Sequence, residues 1–399
     1  MDFKNDFPML NRDIIYFDNG ATTFKPTSVI EAMDNYYKNY SANAHRGDYN
    51  ISLQVDMDYE SVRDKVKNLI NAKKREEIIF TSGATESLNM IARGFFENIL
   101  EEGDEILITD AEHASNVLPW FRLASKCGAK INYIPLDSSF HVTLDNVKRS
   151  ITPRTKLIAI AEITNVVGDV RPIKEICEIA HKNNIFVVVD GAQSVPHKKV
   201  DVIDADIDFL AFSAHKMCGP TGVGVLYGKS ELLENLEPIN LGGGMNESFD
   251  NEREVYLKDL PMRLEAGTPN IAGVIGFGAA IDYLENIGID NIALKEMELK
   301  RYLINKLDKI SHIDIINPEC DSGVVAFNVD GIFAQDVAVY LDKYNVCVRA
   351  GSHCAKILKK SVGVKNTVRI SLYFYNTKSE IDDLVELLKD RDKIMKEMI

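Results

Sequence analysis

Short apolar runs alternate with segments of helix length over most of this sequence, and this alternation constrains the fold more than any other feature. The runs comprise residues 77–81, 105–109, 130–134, 156–161, 185–190, 209–213 and 223–227. Because they are short, rich in β-branched residues and bounded by helix-length segments, they are typical of strands buried on both faces of a sheet. We therefore predict an α/β fold whose large domain has a mostly parallel sheet flanked by helices.

The pattern changes after about residue 273. A long helical segment places four apolar residues on one face, namely Leu299, Leu303, Leu307 and Ile310. Short strands are predicted near 323–329 and 346–349. These elements indicate a smaller α+β C-terminal domain. We place the large domain at residues 17–271 and the small domain at residues 272–399, together with residues 1–16.

Composition limits the classes of partner. The chain has 399 residues, is 45% hydrophobic and carries a formal net charge of −14, which opposes nonspecific binding to nucleic acid or anionic membranes. No apolar stretch approaches the length of a membrane span, and the N terminus lacks a secretory signal pattern. The six cysteines include no CxxC pair. We expect a cytoplasmic protein with free thiols and without nucleic-acid partners, membrane contacts or a metal site.

Two polar residues follow apolar runs where open α/β sheets bind ligands. Asp190 ends the run 185–190, and Lys216 lies between the run 209–213 and a glycine-containing turn. One further crossover separates them, so both residues are expected at the same edge of the sheet. Each alone has an ordinary interpretation, as a strand-terminating aspartate and a solvated loop lysine. Together they match two demands of pyridoxal 5'-phosphate (PLP): a lysine for a Schiff base and a carboxylate for the pyridine nitrogen.

The remaining demands of this cofactor also have candidates. Residues 81–86 combine a glycine turn, hydroxyl groups and the start of a helix, a combination that binds phosphate; Ala84 and Thr85 lie at its centre. A plain helix cap is the alternative for this segment. His113 follows another strand and could stack on the cofactor ring, although an isolated histidine at a strand end is unremarkable.

The motifs in their order along the chain resemble those of class V aminotransferases of PLP fold type I. They are Tyr16–Ala21, Gly83–Glu86, Glu112–His113, Thr164–Asn165, Asp190–Gln193, Ser213–Lys216, Arg263–Asn270 and Arg369–Ser371. The resemblance spans nearly the whole chain. It implies that PLP is held by Ala84, Thr85, His113, Asn165, Asp190, Gln193, Ser213, His215, Lys216 and Thr268.

One segment indicates a branch of that family. Val348–Ala355 resembles the Arg-x-Gly-His-His-Cys-Ala segment of SufS-like (group II) cysteine desulfurases, as does Ala44–Gly47 near the N terminus. The sequence departs from the pattern at Ser352, where many members have histidine. The resemblance implies that L-cysteine is converted to L-alanine while its sulfur becomes a persulfide on Cys354.

The surroundings of Cys354 support that role. A free cysteine is often a small buried hydrophobe, but Cys354 follows Arg349, Gly351 and His353 in a cationic loop, where a reactive and accessible thiol is expected. With Ser352 in place of the usual histidine, His353 is the loop imidazole that could shuttle a proton.

The catalytic and substrate-binding residues follow from these assignments. The catalytic set is Lys216, Cys354, His113 and Asp190. Arg369 is expected to bind the substrate carboxylate in a bidentate manner, although a surface ion pair is its structural alternative. The resemblance adds Asn165, Arg349 and His45 to the substrate site.

The resemblance also implies partners. Thr268 would reach the cofactor phosphate of the neighbouring subunit, which requires a homodimer. A sulfur-acceptor protein, SufU-like or SufE-like, is expected, and Fe–S cluster assembly is the expected destination of the sulfur. Three other functions remain open: a selenocysteine lyase, a true aminotransferase that does not need Cys354, and a sulfur-relay protein with slow turnover by itself.

Overall fold

The computed structural model describes residues 3–45, 47–358, 363 and 366–397. Arg46, within the N-terminal motif at residues 44–47, lies outside the described residues. The strands are β1 (Ile15–Tyr16), β2 (Ile78–Thr81), β3 (Glu105–Thr109), β4 (Lys130–Ile134), β5 (Thr155–Ala161), β6 (Phe186–Asp190), β7 (Phe209–Ser213), β8 (Gly224–Gly228), β9 (Asn246–Phe249), β10 (Val255–Leu257), β11 (Ile313–Ile315), β12 (Val324–Val329), β13 (Val346–Cys347), β14 (Arg349–Gly351) and β15 (Thr367–Ser371).

Helices cover the strands. They are α1 (Thr27–Asn39), α2 (Asn50–Leu69), α3 (Ala84–Met90), α4 (Leu118–Cys127), α5 (Leu144–Ser150), α6 (Ile173–His181), α7 (Ser230–Leu233), α8 (Ile271–Ile287), α9 (Ile289–Leu307), α10 (Ala334–Asp342), α11 (Lys378–Leu388) and α12 (Arg391–Glu397). Single 3-10 turns at Ala114–Asn116 and Ala214–Lys216 follow β3 and β7.

The large sheet has seven strands in the order β2-β8-β7-β6-β5-β3-β4. The pairs from β4 through β7 are parallel, whereas β8 runs antiparallel to both of its neighbours, β7 and β2. The predicted mostly parallel sheet is therefore confirmed, with β8 as its reversed strand. The parallel order brings the carboxyl ends of β3, β5, β6 and β7 to one edge.

Both faces of this sheet are buried, which explains the continuous apolar runs. Along β7, Leu210 and Phe212 face one apolar core shared with α1, α2, α6 and α8. Phe209 and Ala211 face a second core shared with α3 and α4. Since successive side chains point to opposite faces, a strand inside this sheet needs apolar residues at nearly every position, whereas the edge strand β4 is partly exposed.

A second, antiparallel sheet has the strand order β11-β12-β15-β14 and packs with α9, α10, α11 and α12 around a separate apolar core. The predicted smaller α+β unit is thus present. Helix α8 packs against α1 and α2, and its buried residues join a core of the large sheet. We therefore propose that the smaller unit begins near Gly288, not at residue 272 as predicted from the sequence.

The strand predicted at residues 346–349 is divided in two. β13 pairs in parallel with β1, whereas β14 pairs antiparallel with β15. The chain changes partner at Val348, and this change places Arg349 directly opposite Arg369. Among the described residues, no helix is long and apolar enough to cross a bilayer.

Candidate active site

A cavity of about 180 Å³ lies at the carboxyl edge of the large sheet. The last residues of β5, β6 and β7 line it, as expected where parallel strands end together. Eleven of the fourteen predicted site residues also line it: Ala84, Thr85, His113, Asn165, Asp190, Gln193, Ser213, His215, Lys216, Arg349 and Arg369. The fold therefore gathers into one pocket side chains that span most of the sequence.

Lys216 and Asp190 form the electrostatic centre of this pocket. Burial lowers the pKa of Lys216 to about 8; Arg369 and Arg349 act in the same direction, and Asp190 opposes them. Burial raises the pKa of the Asp190 carboxyl, although Lys216 and a hydrogen bond from the Ala192 N–H (3.0 Å) favour the charged form. The site thus holds an amine that loses its proton easily beside a carboxylate suited to a cationic partner.

His113 presents a neutral imidazole to the cavity. Burial lowers its pKa to about 4, and the positive charge of Lys216 adds to this effect. Its Nδ1 accepts a hydrogen bond from the Ser115 N–H at 3.1 Å, so the ring proton is on Nε2. The bond fixes the orientation of the ring.

The end of the cavity near α3 is lined by small and hydroxyl-bearing residues. The Ala84 N–H donates to Ser213 Oγ (2.8 Å), and Thr85 Oγ1 lies 2.8 Å from Ser115 Oγ. The backbones of Gly83 and Gly224 approach closely here: a Cβ added to Gly224 would lie 2.3 Å from the Gly83 Cα. Glycine at residue 224 therefore permits the tight turn that leads into α3.

Two buried amide oxygens at the cavity have no hydrogen-bond partner among the described residues. They are Asn165 Oδ1 and Gln193 Oε1. The amide nitrogens are held in place: Asn165 Nδ2 donates to the His353 carbonyl (2.7 Å) and Gln193 Nε2 to the Gly20 carbonyl (2.8 Å). Buried polar atoms are normally satisfied, so these oxygens are available to a ligand that donates hydrogen bonds.

Arg369 is fixed by a residue to which the sequence analysis gave no role. Its Nη2 lies 2.6 Å from Asp18 Oδ1, and its Nη1 donates to the Asn165 carbonyl at 3.0 Å. The side chain is only 1% exposed, which excludes the surface ion pair considered as an alternative. Asp18 belongs to the N-terminal motif at residues 16–21, so its place in that motif was the available signal.

Cys354 is exposed and lies beside the pocket, in the loop after β14, while the other five cysteines are buried or half-buried. The Arg349 Nη2 donates to the Cys354 sulfur at 3.8 Å, and the Cys354 carbonyl accepts from the Ala114 N–H at 2.8 Å. Burial raises the pKa of Cys218 to about 12 and also raises those of Cys127, Cys177 and Cys347. Cys354 is therefore the accessible thiol with a cationic neighbour.

Known proteins share this architecture. Residues 15–384 match the sequence model of the family described as Aminotransferase class-V. The chain belongs to the class-V aminotransferase family. A relative named "Probable cysteine desulfurase" in Halalkalibacterium halodurans is 44% identical over 97% of both chains, and one of the same name in Staphylococcus epidermidis is 44% identical over 96% of this chain and 94% of its own.

Solved structures of cysteine desulfurases have the same fold as this chain. The cysteine desulfurase CsdA of Escherichia coli superposes with a TM-score of 0.93 at 37% identity and covers 100% of this chain and 98% of its own. The apo cysteine desulfurase of Thermococcus onnurineus NA1 gives a TM-score of 0.94 at 39% identity, covering 98% and 97%. The class-V fold predicted from the motifs is therefore confirmed over the whole chain.

Class-V aminotransferases are PLP-dependent, and the pocket has the features that PLP requires. Lys216 and Asp190 supply the amine and the carboxylate, the neutral His113 ring borders the cavity, and the free Asn165 oxygen can accept from a phenolic hydroxyl. The described residues include no group of three or more His, Cys, Asp or Glu side chains able to hold a metal ion.

Two predicted site residues of this class-V chain do not reach its own cavity. Thr268 is exposed, and His45 contacts Glu60 (3.3 Å) and packs edge-on against Tyr59. Tyr59 in turn lies beside Glu265, three residues before Thr268.

A buried ion pair lies directly behind the pocket and was not predicted as a functional feature. Glu112 and Arg171 contact each other with fully buried side chains. Arg171 also lies 3.3 Å from Asp169, and Glu112 accepts from the Ala161 N–H at 2.8 Å. Because Ala161 lines the cavity, this pair supports the end of β5 and the segment that carries His113.

Proposed function

We propose that this protein is a PLP-dependent cysteine desulfurase that converts L-cysteine to L-alanine and retains the sulfur as a persulfide on Cys354. The observation that carries the proposal is the exposed Cys354 thiol beside Arg349, at a pocket that contains both Lys216 and Asp190. The names of the similar proteins support the same activity.

PLP would be held by Lys216 through its aldehyde, by Asp190 through its pyridine nitrogen and by Ala84 and Thr85 at its phosphate. When bound, it supplies an electron sink that makes the substrate Cα proton acidic. Asp190 has the burial needed to keep a paired pyridinium charged, and His113 has a neutral ring suited to stacking against the cofactor.

Substrate binding is assigned to the two arginines. Arg369, held by Asp18 and the Asn165 carbonyl, offers its guanidinium to the carboxylate of L-cysteine. Arg349 lies opposite it and also contacts the Cys354 sulfur. The same two residues therefore orient the substrate and the attacking thiol.

Proton movement is assigned to Lys216. Because its pKa is lowered to about 8, an appreciable fraction of the side chain is a neutral amine near neutral pH, and this amine can accept the proton from the substrate Cα. The Cys354 sulfur then forms a bond to the substrate sulfur as the substrate Cβ–S bond breaks. The electron pair of that bond stays on Cβ, and the substrate sulfur remains on Cys354 as the outer sulfur of the persulfide. Protonation of Cβ and return of a proton from Lys216 to Cα complete L-alanine.

The active form is proposed to be a homodimer. His45 and Thr268 lie outside the pocket of their own chain, which supports their contribution to a neighbouring one. One face of α2 and the residue before it carries three exposed apolar side chains, Tyr49, Leu53 and Met57; burying such a face favours association. The persulfide sulfur would leave with an acceptor protein, SufU-like or SufE-like, for use in Fe–S cluster assembly.

The test is to incubate the purified protein with L-cysteine and a thiol reductant, with and without an acceptor protein, and to quantify alanine and sulfide. Equal amounts of the two products are expected with reductant, and an acceptor should increase alanine formation. Formation of a keto acid in place of alanine would identify a true aminotransferase. Borohydride reduction followed by peptide mapping should locate the cofactor on Lys216; its recovery on another lysine would overturn that assignment.

A further inference from the structure

The backbone of the Cys354 loop has an unusual conformation. His353 and Cys354 both adopt left-handed dihedral angles, with φ of 49° and 61°, and Gly351 has φ of 123°. Such values are unfavourable for residues with a Cβ and persist where surrounding contacts hold them. Contacts with neighbouring residues are therefore expected to hold Cys354 in this position.

His353 supplies several of these contacts. Its side chain is only 3% exposed, although it lies directly beside the exposed Cys354. Its Nε2 lies 3.0 Å from the Thr367 carbonyl and 2.9 Å from Thr367 Oγ1. Its own carbonyl accepts a hydrogen bond from Asn165 Nδ2 at 2.7 Å.

These bonds also define the protonation of the ring. A carbonyl can only accept, so the proton is on Nε2 and the lone pair is on Nδ1. Nδ1 is buried and has no partner among the described residues. Burial, together with the charge of Arg369, lowers the pKa of His353 to about 3. The imidazole is therefore neutral at neutral pH, and its N–H is engaged by Thr367.

We propose that His353 is a positioning residue that holds Cys354 over the pocket by binding Thr367 through its ring and Asn165 through its carbonyl. The inference rests on the proposed function, because it assigns to Cys354 the attack on the substrate sulfur.

The two bonds attach the loop to both units of the fold. Thr367 begins β15 in the small sheet, whereas Asn165 lies in the segment after β5 of the large sheet and lines the cavity. The Asn165 carbonyl also accepts from Arg369. The position of the thiol is therefore defined relative to the residues assigned to the substrate carboxylate.

The experiment compares His353→Gln with His353→Leu in the full-length protein loaded with PLP. Glutamine is neutral and can direct an amide N–H towards the Thr367 carbonyl, whereas leucine has a similar size and no donor. Three quantities are measured: kcat and KM for alanine formation, the pH profile of kcat, and the rate of Cys354 alkylation by iodoacetamide without substrate. Ser352→Ala, in the adjacent side chain, is the matched control.

We expect His353→Leu to lower kcat by about 10²-fold, the loss typical when a reacting group is displaced by about 1 Å, with little change in KM and PLP content and a changed alkylation rate. His353→Gln should restore kcat to within about threefold, which corresponds to the modest net contribution of one hydrogen bond, and should keep the wild-type pH profile.

Several outcomes would overturn the proposal. One is a wild-type kcat in His353→Leu. Another is a His353→Gln variant that binds PLP but is as slow as His353→Leu. A third is a His353→Gln variant whose pH profile of kcat loses one limb, because that loss would show that His353 carries a proton. If the leucine variant does not fold, the glutamine variant decides alone. Absence of alanine from the wild-type protein would instead refute the proposed function, and the alkylation rates would still test His353.

Discussion

Arg349 and Arg369 lie directly opposite each other in the antiparallel pair β14–β15, and both side chains line the pocket of Lys216. Like charges in this arrangement repel each other. Asp18 pairs with Arg369, and Arg349 is directed to the Cys354 sulfur. A substrate carboxylate between the two guanidinium groups would relieve the repulsion, and we therefore propose that the strand register creates an anion site.

Replacing Arg369 with lysine should weaken substrate binding while keeping the charge. Lysine lacks the planar fork that binds a carboxylate through two hydrogen bonds. Since a hydrogen bond to a charged group contributes about 1.5–3 kcal/mol, KM for L-cysteine should rise by roughly 10- to 100-fold. Steady-state kinetics measure the change, and Arg301→Lys on the exposed surface of α9 is the control. An unchanged KM would contradict the role of Arg369.

The lowered pKa of Lys216 predicts how the rate of covalent PLP linkage depends on pH. Covalent linkage to PLP requires the neutral amine, so the rate at which the apoprotein links added PLP should rise with pH with a midpoint near 8, well below the ordinary lysine value of 10.5. Arg349→Met removes a positive charge that opposes protonation of Lys216. The pKa of Lys216 should rise in this variant, and the midpoint of the pH profile should move to higher pH. A shift to lower pH, or the same shift in Arg301→Met, would contradict this electrostatic account.

Much of the large sheet follows from the sequence. The strands at 105–109, 130–134 and 209–213 have the predicted bounds. Burial on both faces explains the continuous apolar runs at 105–109 and 209–213, whereas the edge strand at 130–134 is partly exposed. Asp190, at the end of the run 185–190, and Lys216, just after the run 209–213, were therefore found together with the strands.

The parts that could not be predicted depend on contacts between distant segments. The role of Asp18 depends on Arg369, which lies near the other end of the sequence. The division of the segment 346–349 depends on pairing of β13 with β1. His353 was interpreted as a possible proton shuttle because it adjoins Cys354, and the sequence could not show that the left-handed backbone turns the two side chains in different directions, one buried and one exposed.

Breaking the buried pair behind the pocket should destabilise the protein. Glu112→Gln leaves the fully buried Arg171 guanidinium without its closest carboxylate, and removing one partner of such a pair typically costs about 3–5 kcal/mol. Thermal denaturation should show a lower midpoint for this variant. Lys174→Met, which breaks the exposed pair with Asp204, is the control and should have little effect. Equal midpoints for the two variants would show that the buried pair is not stabilising.

Replacing Cys354 with alanine should separate binding from sulfur transfer. The side chains that surround the cavity are unchanged in this variant, so PLP content and spectroscopic binding of L-cysteine should be retained. Alanine formation should fall to background, because burial raises the pKa of Cys218, Cys177 and Cys347 and leaves no other thiol beside Arg349. Cys127→Ala, at a half-buried thiol on α4, is the matched control and should retain full activity.

Mass spectrometry of the wild-type protein after incubation with L-cysteine, without reductant, should find one added sulfur on the peptide that contains Cys354. Wild-type desulfuration by Cys354→Ala, or an added sulfur on another cysteine, would require a different nucleophile.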